Sequence, residues 1–147
     1  MTDLGPIGES PPGIAIREYR PGDGPSLRAL WREAGFRLIG DDDEGLATFA
    51  ARNPGSFLVA DHEGRVVGSA MGGWDGRRGW IYHVTTAGDH RRLGLGSALA
   101  GRVESVLRSL GCRRCLVIVE NDNHEAFAFW HAQGYRMRAT SQLGKAL

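Results

Sequence analysis

His90 to Leu107, HRRLGLGSALAGRVESVL, sets two arginines and a Gly-Leu-Gly turn directly against the start of a helix pattern. Leu99, Val103, Val106, Leu107 and Leu110 mark one face of that helix, with Arg102, Glu104 and Arg108 elsewhere on its surface. Gly111 suits the left-handed position that closes a helix. At the other end, the first amides of a helix lack partners within it, and the helix dipole places partial positive charge there. Glycines let a ligand approach the backbone and permit positive φ. The turn therefore reads as an anion cradle suited to phosphates, with Arg91 and Arg92 adding charge-assisted donors. A plain surface loop that uses glycine to turn tightly is an equal alternative at this point.

Upstream of the turn, Ile14 to Tyr19 alternates and predicts a strand, which Pro21-Gly22-Asp23 breaks. Leu27, Leu30, Trp31 and Ala34 recur at helical spacing up to Gly35. The acidic run Asp41 to Glu44 opens a short helix through Leu46, Phe49 and Ala50, stopped by Asn53-Pro54-Gly55. Ser56–Ala60, Arg65–Met71 and Trp80–Thr85 then read as three strands of a meander, joined by turns at Asp61–Gly64 and Asp75–Gly79. Downstream, the apolar run Cys115–Val119 predicts a strand buried on both faces. Asn121, Asp122 and Asn123 can cap a last helix through Ala126, Phe127 and Trp130, ended by Gly134. Tyr135–Met137 and Leu143–Leu147 are expected to form a closing strand pair. The order is β-α-α-β-β-β-α-β-α-β-β, an α/β (α+β) arrangement. It predicts a mixed sheet of six to seven strands with helices on both faces.

The chain has 147 residues, enough for one domain that needs no disulfide or metal to hold its core. Met1 to Gly13 is rich in proline and glycine and predicts a flexible tail, leaving 14–147 as a single domain. The formal net charge of +1 gives no overall field toward nucleic acid or an anionic membrane. No apolar run approaches the roughly 18 residues of a membrane span, and the first residues lack the basic leader and apolar core of a signal peptide. A cytoplasmic protein is expected. Cys112 and Cys115 form C-x-x-C, which suggests half a zinc site or a redox pair. The histidines supply no matching ligand spacing, and the pair follows a helix instead of preceding one. Two reduced thiols near a strand start, and no metal, is the expectation.

Two rival nucleotide motifs fail. A dinucleotide fingerprint needs a third glycine where this chain has Leu99, and a Walker A loop needs Gly-Lys-Ser/Thr, which is absent. What remains is Arg91-x-x-Gly94-x-Gly96 between a strand and an amphipathic helix. This resembles the GNAT superfamily of acyl-CoA-dependent N-acyltransferases, whose pyrophosphate loop reads Arg/Gln-x-x-Gly-x-Gly/Ala. Asn123 followed by Phe127-Ala128-Phe129-Trp130-His131-Ala132-Gln133-Gly134-Tyr135 is similar to the family's second signature. The resemblance covers Ile14 to Leu147 in element order and looks closest to small stand-alone bacterial members of the YpeA-like kind. These also end in a tail like Leu143-Gly144-Lys145-Ala146-Leu147.

The resemblance implies an N-acetyltransferase in which an amine attacks the thioester of acetyl-CoA directly. It implies contacts to the acyl and pantetheine groups at Val84, Thr85 and Thr86, with a backbone N–H near Val84 stabilising the oxyanion. The pyrophosphate would fall on Arg91, Arg92, Leu93, Gly94, Leu95, Gly96 and Ser97, and Asn123 would line the pantetheine arm. The family often has a tyrosine acid where this chain has Trp130, and an indole cannot surrender its proton near neutral pH. Core packing is the competing role for Trp130. Candidates for the base are His83, Tyr82 and Glu120. The acidic run Asp41–Glu44 belongs to the region that walls the acceptor site in this family, with a solvated helix cap as its plainer role. The partners implied are acetyl-CoA and an amine acceptor, of small-molecule, lysine or protein N-terminal type, with a homodimer also common in the family. A non-catalytic acyl-CoA-binding or regulatory domain of the same fold is the alternative that Trp130 keeps open.

Overall fold

A computed structural model describes residues 9–147. Most of the expected tail, residues 1–8, lies outside the described residues. Of the rest, Ser10 donates its hydroxyl to the Ile14 carbonyl (2.8 Å), and the Ile14 amide donates to the Pro11 carbonyl (3.1 Å).

The elements are β1 (Ile14–Glu18), α1 (Gly24–Glu33), α2 (Asp43–Arg52), β2 (Phe57–His62), β3 (Arg65–Trp74), β4 (Gly79–Thr86), α3 (Leu95–Ser109), β5 (Cys115–Val117) and α4 (His124–Ala132). Short 3-10 turns sit at Pro21–Asp23 and Gly88–His90. The chain divides into two compact units, one ending at Val117 and one running from Ile118 to Leu147. The first holds the whole sheet, five strands in the order β1-β2-β3-β4-β5. β1 to β4 pair antiparallel, and β5 lies parallel to β4, so the sheet is mixed.

The expected six to seven strands are corrected to five among the described residues. Tyr135–Met137 and Leu143–Leu147 do not pair as strands, and Met137 and Leu143 are 81% and 95% exposed. The polar stretch Arg138 to Gln142 between them has no alternating apolar face to bury, so pairing would gain little. The expected strand Cys115–Val119 is also shorter, with three residues in the ladder and none of them fully buried.

Both faces of the sheet are covered within the first unit. On one, Leu27, Trp31 and Leu46 from α1 and α2 pack with Phe57, Val59 and Met71 of β2 and β3. On the other lies α3, whose Leu95, Ala98, Leu99, Val103 and Leu107 are all buried. Asp23 ties the β1–α1 connection. It accepts from Arg17 through both carboxylate oxygens (2.8 and 2.9 Å) and from the Arg20 amide (2.8 Å).

Two glycines of β3 let α3 approach closely. A Cβ on Gly68 would lie 3.1 Å from the Leu99 Cδ1, and one on Gly72 would collide with the Val103 Cγ1. Gly72→Ala is therefore expected to destabilise by about 1–3 kcal/mol, the usual cost of overpacking. A thermal melt unchanged within error would show that α3 has slack here.

Candidate active site

The half of β4 that follows Ile81 is irregular on both edges. Toward β3, Ser69 pairs with Thr85 and Met71 with Tyr82, so Ala70 alone faces His83 and Val84 together. This is a β-bulge, and His83 carries it in the left-handed region at φ 51°. Toward β5, the register ends at Ile81 opposite Val117. β5 itself ends at Val117, so from Tyr82 onward β4 has no rung to it among the described residues.

A left-handed non-glycine residue costs about 1–2 kcal/mol and needs support. A chain of long-range hydrogen bonds supplies it. The Trp31 indole N–H donates to the Ser69 Oγ (2.8 Å), and the Ser69 hydroxyl donates to the His83 carbonyl (2.7 Å). The His83 ring lies between Phe36, stacked at 4.8 Å and 13°, and Trp31, tilted at 4.6 Å and 47°. Its Nε2 meets the Asp41 Oδ2 at 3.1 Å. Backbone and side chain of His83 are thus both held, by β3 and by the connection from α1 to α2.

The acidic run divides its labour. Asp42 caps α2, accepting from the Gly45 amide (2.8 Å), and Asp43 pairs with Arg28 (2.7 Å). Only Asp41 turns to β4. Tyr82, 37% exposed, packs edge-on to Phe49 and stacks on Trp80. Burial, then the charge of Asp75, holds its phenol above the usual tyrosine range, which favours the protonated form that donates a hydrogen bond. Tyr82, His83 and Asp41 line one cleft, of about 310 Å³.

Beyond Thr86 the chain passes the Gly88–His90 turn into the arginine-glycine bend. The Ala87 amide still pairs with the Val67 carbonyl (2.8 Å). His90 is buried, with its Nε2 2.8 Å from the His62 Nδ1 and its Nδ1 2.8 Å from Asp89. Asp89 in turn pairs with Arg65 at 2.8 Å, and that contact, then His90, holds its carboxyl down at about 2. The β2–β3 hairpin thereby anchors the entry to the bend. Arg91 to Gly94 are exposed, Arg92 and Gly94 are left-handed at φ 64° and 77°, and Gly94 is the N-cap of α3. The first intrahelical bond comes from the Ala98 amide to the Gly94 carbonyl (3.0 Å). The amides of Leu95, Gly96 and Ser97 lie ahead of it, and a glycine cap brings no side chain over them. Two arginines, a left-handed glycine and leading helix amides fit a diphosphate.

The second unit carries the remaining candidates. The Asn123 Oδ1 caps α4, accepting from the Ala126 amide (3.0 Å). Glu120 is exposed, and its carbonyl accepts from the Asn123 amide (3.0 Å). Trp130 is buried and lies edge-on to Phe129 and Tyr135, each at 4.9 Å. Cys112 and Cys115 are not joined in a disulfide, and no metal-binding group occurs among the described residues. No helix of the described residues is long and apolar enough to cross a membrane.

Trp31, Phe36 and Ser69 were not among the sequence candidates, and Asp41 stood only as one of four acids. Nothing local marks them, because their partners lie up to 42 residues away.

The profile of the acetyltransferase (GNAT) family matches residues 23–135. An acetyltransferase of Yersinia pestis (strain Pestoides F) is 32% identical over 135 residues, covering 91% of this chain and 96% of its own. One of Sodalis glossinidius is 34% identical over 136 residues, with the same coverage. Among solved structures, Ard1 from Thermoplasma volcanium superposes with a TM-score of 0.78 at 26% identity, covering 86% of this chain and 85% of that one. The PaiA N-acetyltransferase from Thermoplasma acidophilum, in complex with coenzyme A, has the same fold, with a TM-score of 0.75 at 18% identity over 87% and 92% of the two chains.

Proposed function

The chain belongs to the GNAT family of acetyltransferases, and from that premise we propose that it moves the acetyl group of acetyl-CoA to a primary amine by direct attack. The observation that carries this reading is the bend at Arg91–Gly96, with its left-handed Gly94 cap and exposed arginines ahead of a 15-residue helix. We read residues 14–147 as one catalytic domain, consistent with a family match that spans both compact units. Cys112 and Cys115, both outside any disulfide, fit a reducing, cytoplasmic setting.

In this reading Arg91 and Arg92, with the amides of Leu93 to Ser97, grip the diphosphate. Val84, Thr85 and Thr86, on the part of β4 beyond its rungs to β5, hold the pantetheine and acyl groups, and the family's second signature assigns Asn123 to the pantetheine arm. In this reading the Val84 amide, next to the bulge, would donate to the carbonyl oxygen, where preorganised donors stabilise developing charge. The amine nitrogen bonds to the carbonyl carbon, the carbon–sulfur bond breaks, and the electron pair leaves with sulfur. The proton of the attacking nitrogen goes to a base. His83, held by Asp41, is the favoured group, acting through water. Glu120 is its competitor, and Tyr82 contributes a hydroxyl donor.

Trp130 supplies no acid. A thiol of pKa about 8.5 departs tolerably as thiolate, so none is required. Trp130→Tyr is expected to leave turnover unchanged or raise it, and a large fall would assign the indole a part in the reaction.

A thiol-release screen with acetyl-CoA across amines and peptides tests the whole reading, with calorimetric titration of acetyl-CoA beside it. Release with at least one amine supports it. Absence of acetyl-CoA binding, or binding that Arg91→Ala and Arg92→Ala leave untouched, refutes it. Loss of the acidic limb of the pH–rate profile in His83→Gln but not in Glu120→Gln identifies His83 as the base, and the reverse pattern identifies Glu120.

A further inference from the structure

The cleft shared by β4 and the connection from α1 to α2 has two unlike walls. One is apolar, made of Ile39, Phe49, Met71 and Tyr82. Ile39 is 80% exposed, a large aliphatic side chain left in water at the rim. The other wall carries Asp41, the one carboxylate of the lining, with its side chain 10% exposed and its Oδ2 on His83. Arg37 lines the same cleft.

From this asymmetry we propose that the acceptor is a primary amine borne beside a single uncharged apolar group of about side-chain size, as in the amide of an apolar amino acid or an apolar N-terminal residue. The inference rests on the acetyl-transfer reading above and names its substrate class. One carboxylate answers one ammonium. A second cation would meet Arg37 or the apolar wall, and an ammonium desolvated without a partner is costly. A cleft of about 310 Å³ is at the small end of the roughly 300–1,000 Å³ of ligand pockets and has room for one side chain against its apolar wall; Gly40 and Asp41 also line a second cavity of about 480 Å³. The apolar wall rewards a matching group, and each methylene fitted to such a surface is worth roughly tenfold or more in specificity. His83 fixes the Asp41 carboxylate, so the amine is oriented beside the bulge where attack occurs.

The test compares leucinamide, phenylalaninamide, glycinamide and spermidine in the thiol-release assay with the full chain and acetyl-CoA. Leucinamide and phenylalaninamide are expected to exceed glycinamide and spermidine by about tenfold or more in kcat/KM. Ile39→Asp, at an exposed position that folding does not need, is expected to cut that preference to within about threefold with acetyl-CoA affinity unchanged. Asp41→Asn is expected to raise KM for leucinamide. Equal rates for glycinamide and leucinamide, or a preference for spermidine, would overturn the substrate class while leaving acetyl transfer standing. Silence across all four amines while acetyl-CoA still binds would overturn the class alone, whereas absence of acetyl-CoA binding would overturn the reading beneath it.

Discussion

Gly94→Val is expected to weaken acetyl-CoA binding by about tenfold to a hundredfold, read by calorimetry or as KM for the cofactor. Gly94 holds φ 77° as the cap of α3, a conformation that a β-branched residue adopts only at a cost of about 1–2 kcal/mol. That strain alone corresponds to roughly 5- to 30-fold in an equilibrium constant. The isopropyl group adds a second penalty: a Cβ on Gly94 meets open space within the protein, and in the proposed reading that space is what the diphosphate fills. Gly76→Val is the matched control. Gly76 also has a positive φ, 90°, but lies in the β3–β4 turn with open space around it. It should cost comparable stability and leave the cofactor constant alone. Equal affinities for wild type and Gly94→Val would remove the bend from the binding site.

Ser69→Val is expected to be the most damaging change for the fold around the bulge. The side chain has no exposure and stands between two partners. Valine would strand both the Trp31 indole N–H and the His83 carbonyl. Each buried group left unpaired costs about 1–3 kcal/mol, so the pair sums to roughly 2–6 kcal/mol. For a chain of this length that lowers the melting point by roughly 5–20 °C. Trp31→Phe removes the indole donor yet leaves the Ser69–His83 bond, so it should cost less than Ser69→Val. Turnover measured far below the melt should fall more than acetyl-CoA affinity, since His83 and Val84 shift while the bend does not. A Ser69→Val melt within about 2 °C of wild type would mean that the bulge holds itself, against the cost expected for two stranded groups.

The elements that could be read from sequence are those whose signal is local. The face Leu99, Val103, Val106 and Leu107 announced α3, and Arg91, Arg92, Gly94 and Gly96 announced the bend, because periodicity and turn chemistry sit in adjacent residues. The β4 bulge had no such signal. His83 stands in a run that reads as plain strand, and what bends it comes from Trp31, Ser69 and Asp41, remote in the chain. The acidic run was legible as a helix start, and Asp42 is that cap, but its neighbour's contact with His83 is tertiary. The closing strands failed for a related reason: Tyr135–Met137 has strand-like residues, but a ladder needs a partner.

The paired imidazoles beneath the bend obey a strict proton count. Asp89 is ionised and only accepts, so the His90 Nδ1 bears hydrogen. A neutral His90 then offers only a lone pair at Nε2, which obliges His62 to present Nδ1–H. One ring therefore donates and the other accepts, and two rings that both donate could not form this contact. Loss of either ring would leave the other's nitrogen without this partner, so the tie between the β2–β3 hairpin and the entry to the arginine turn rests on both histidines together.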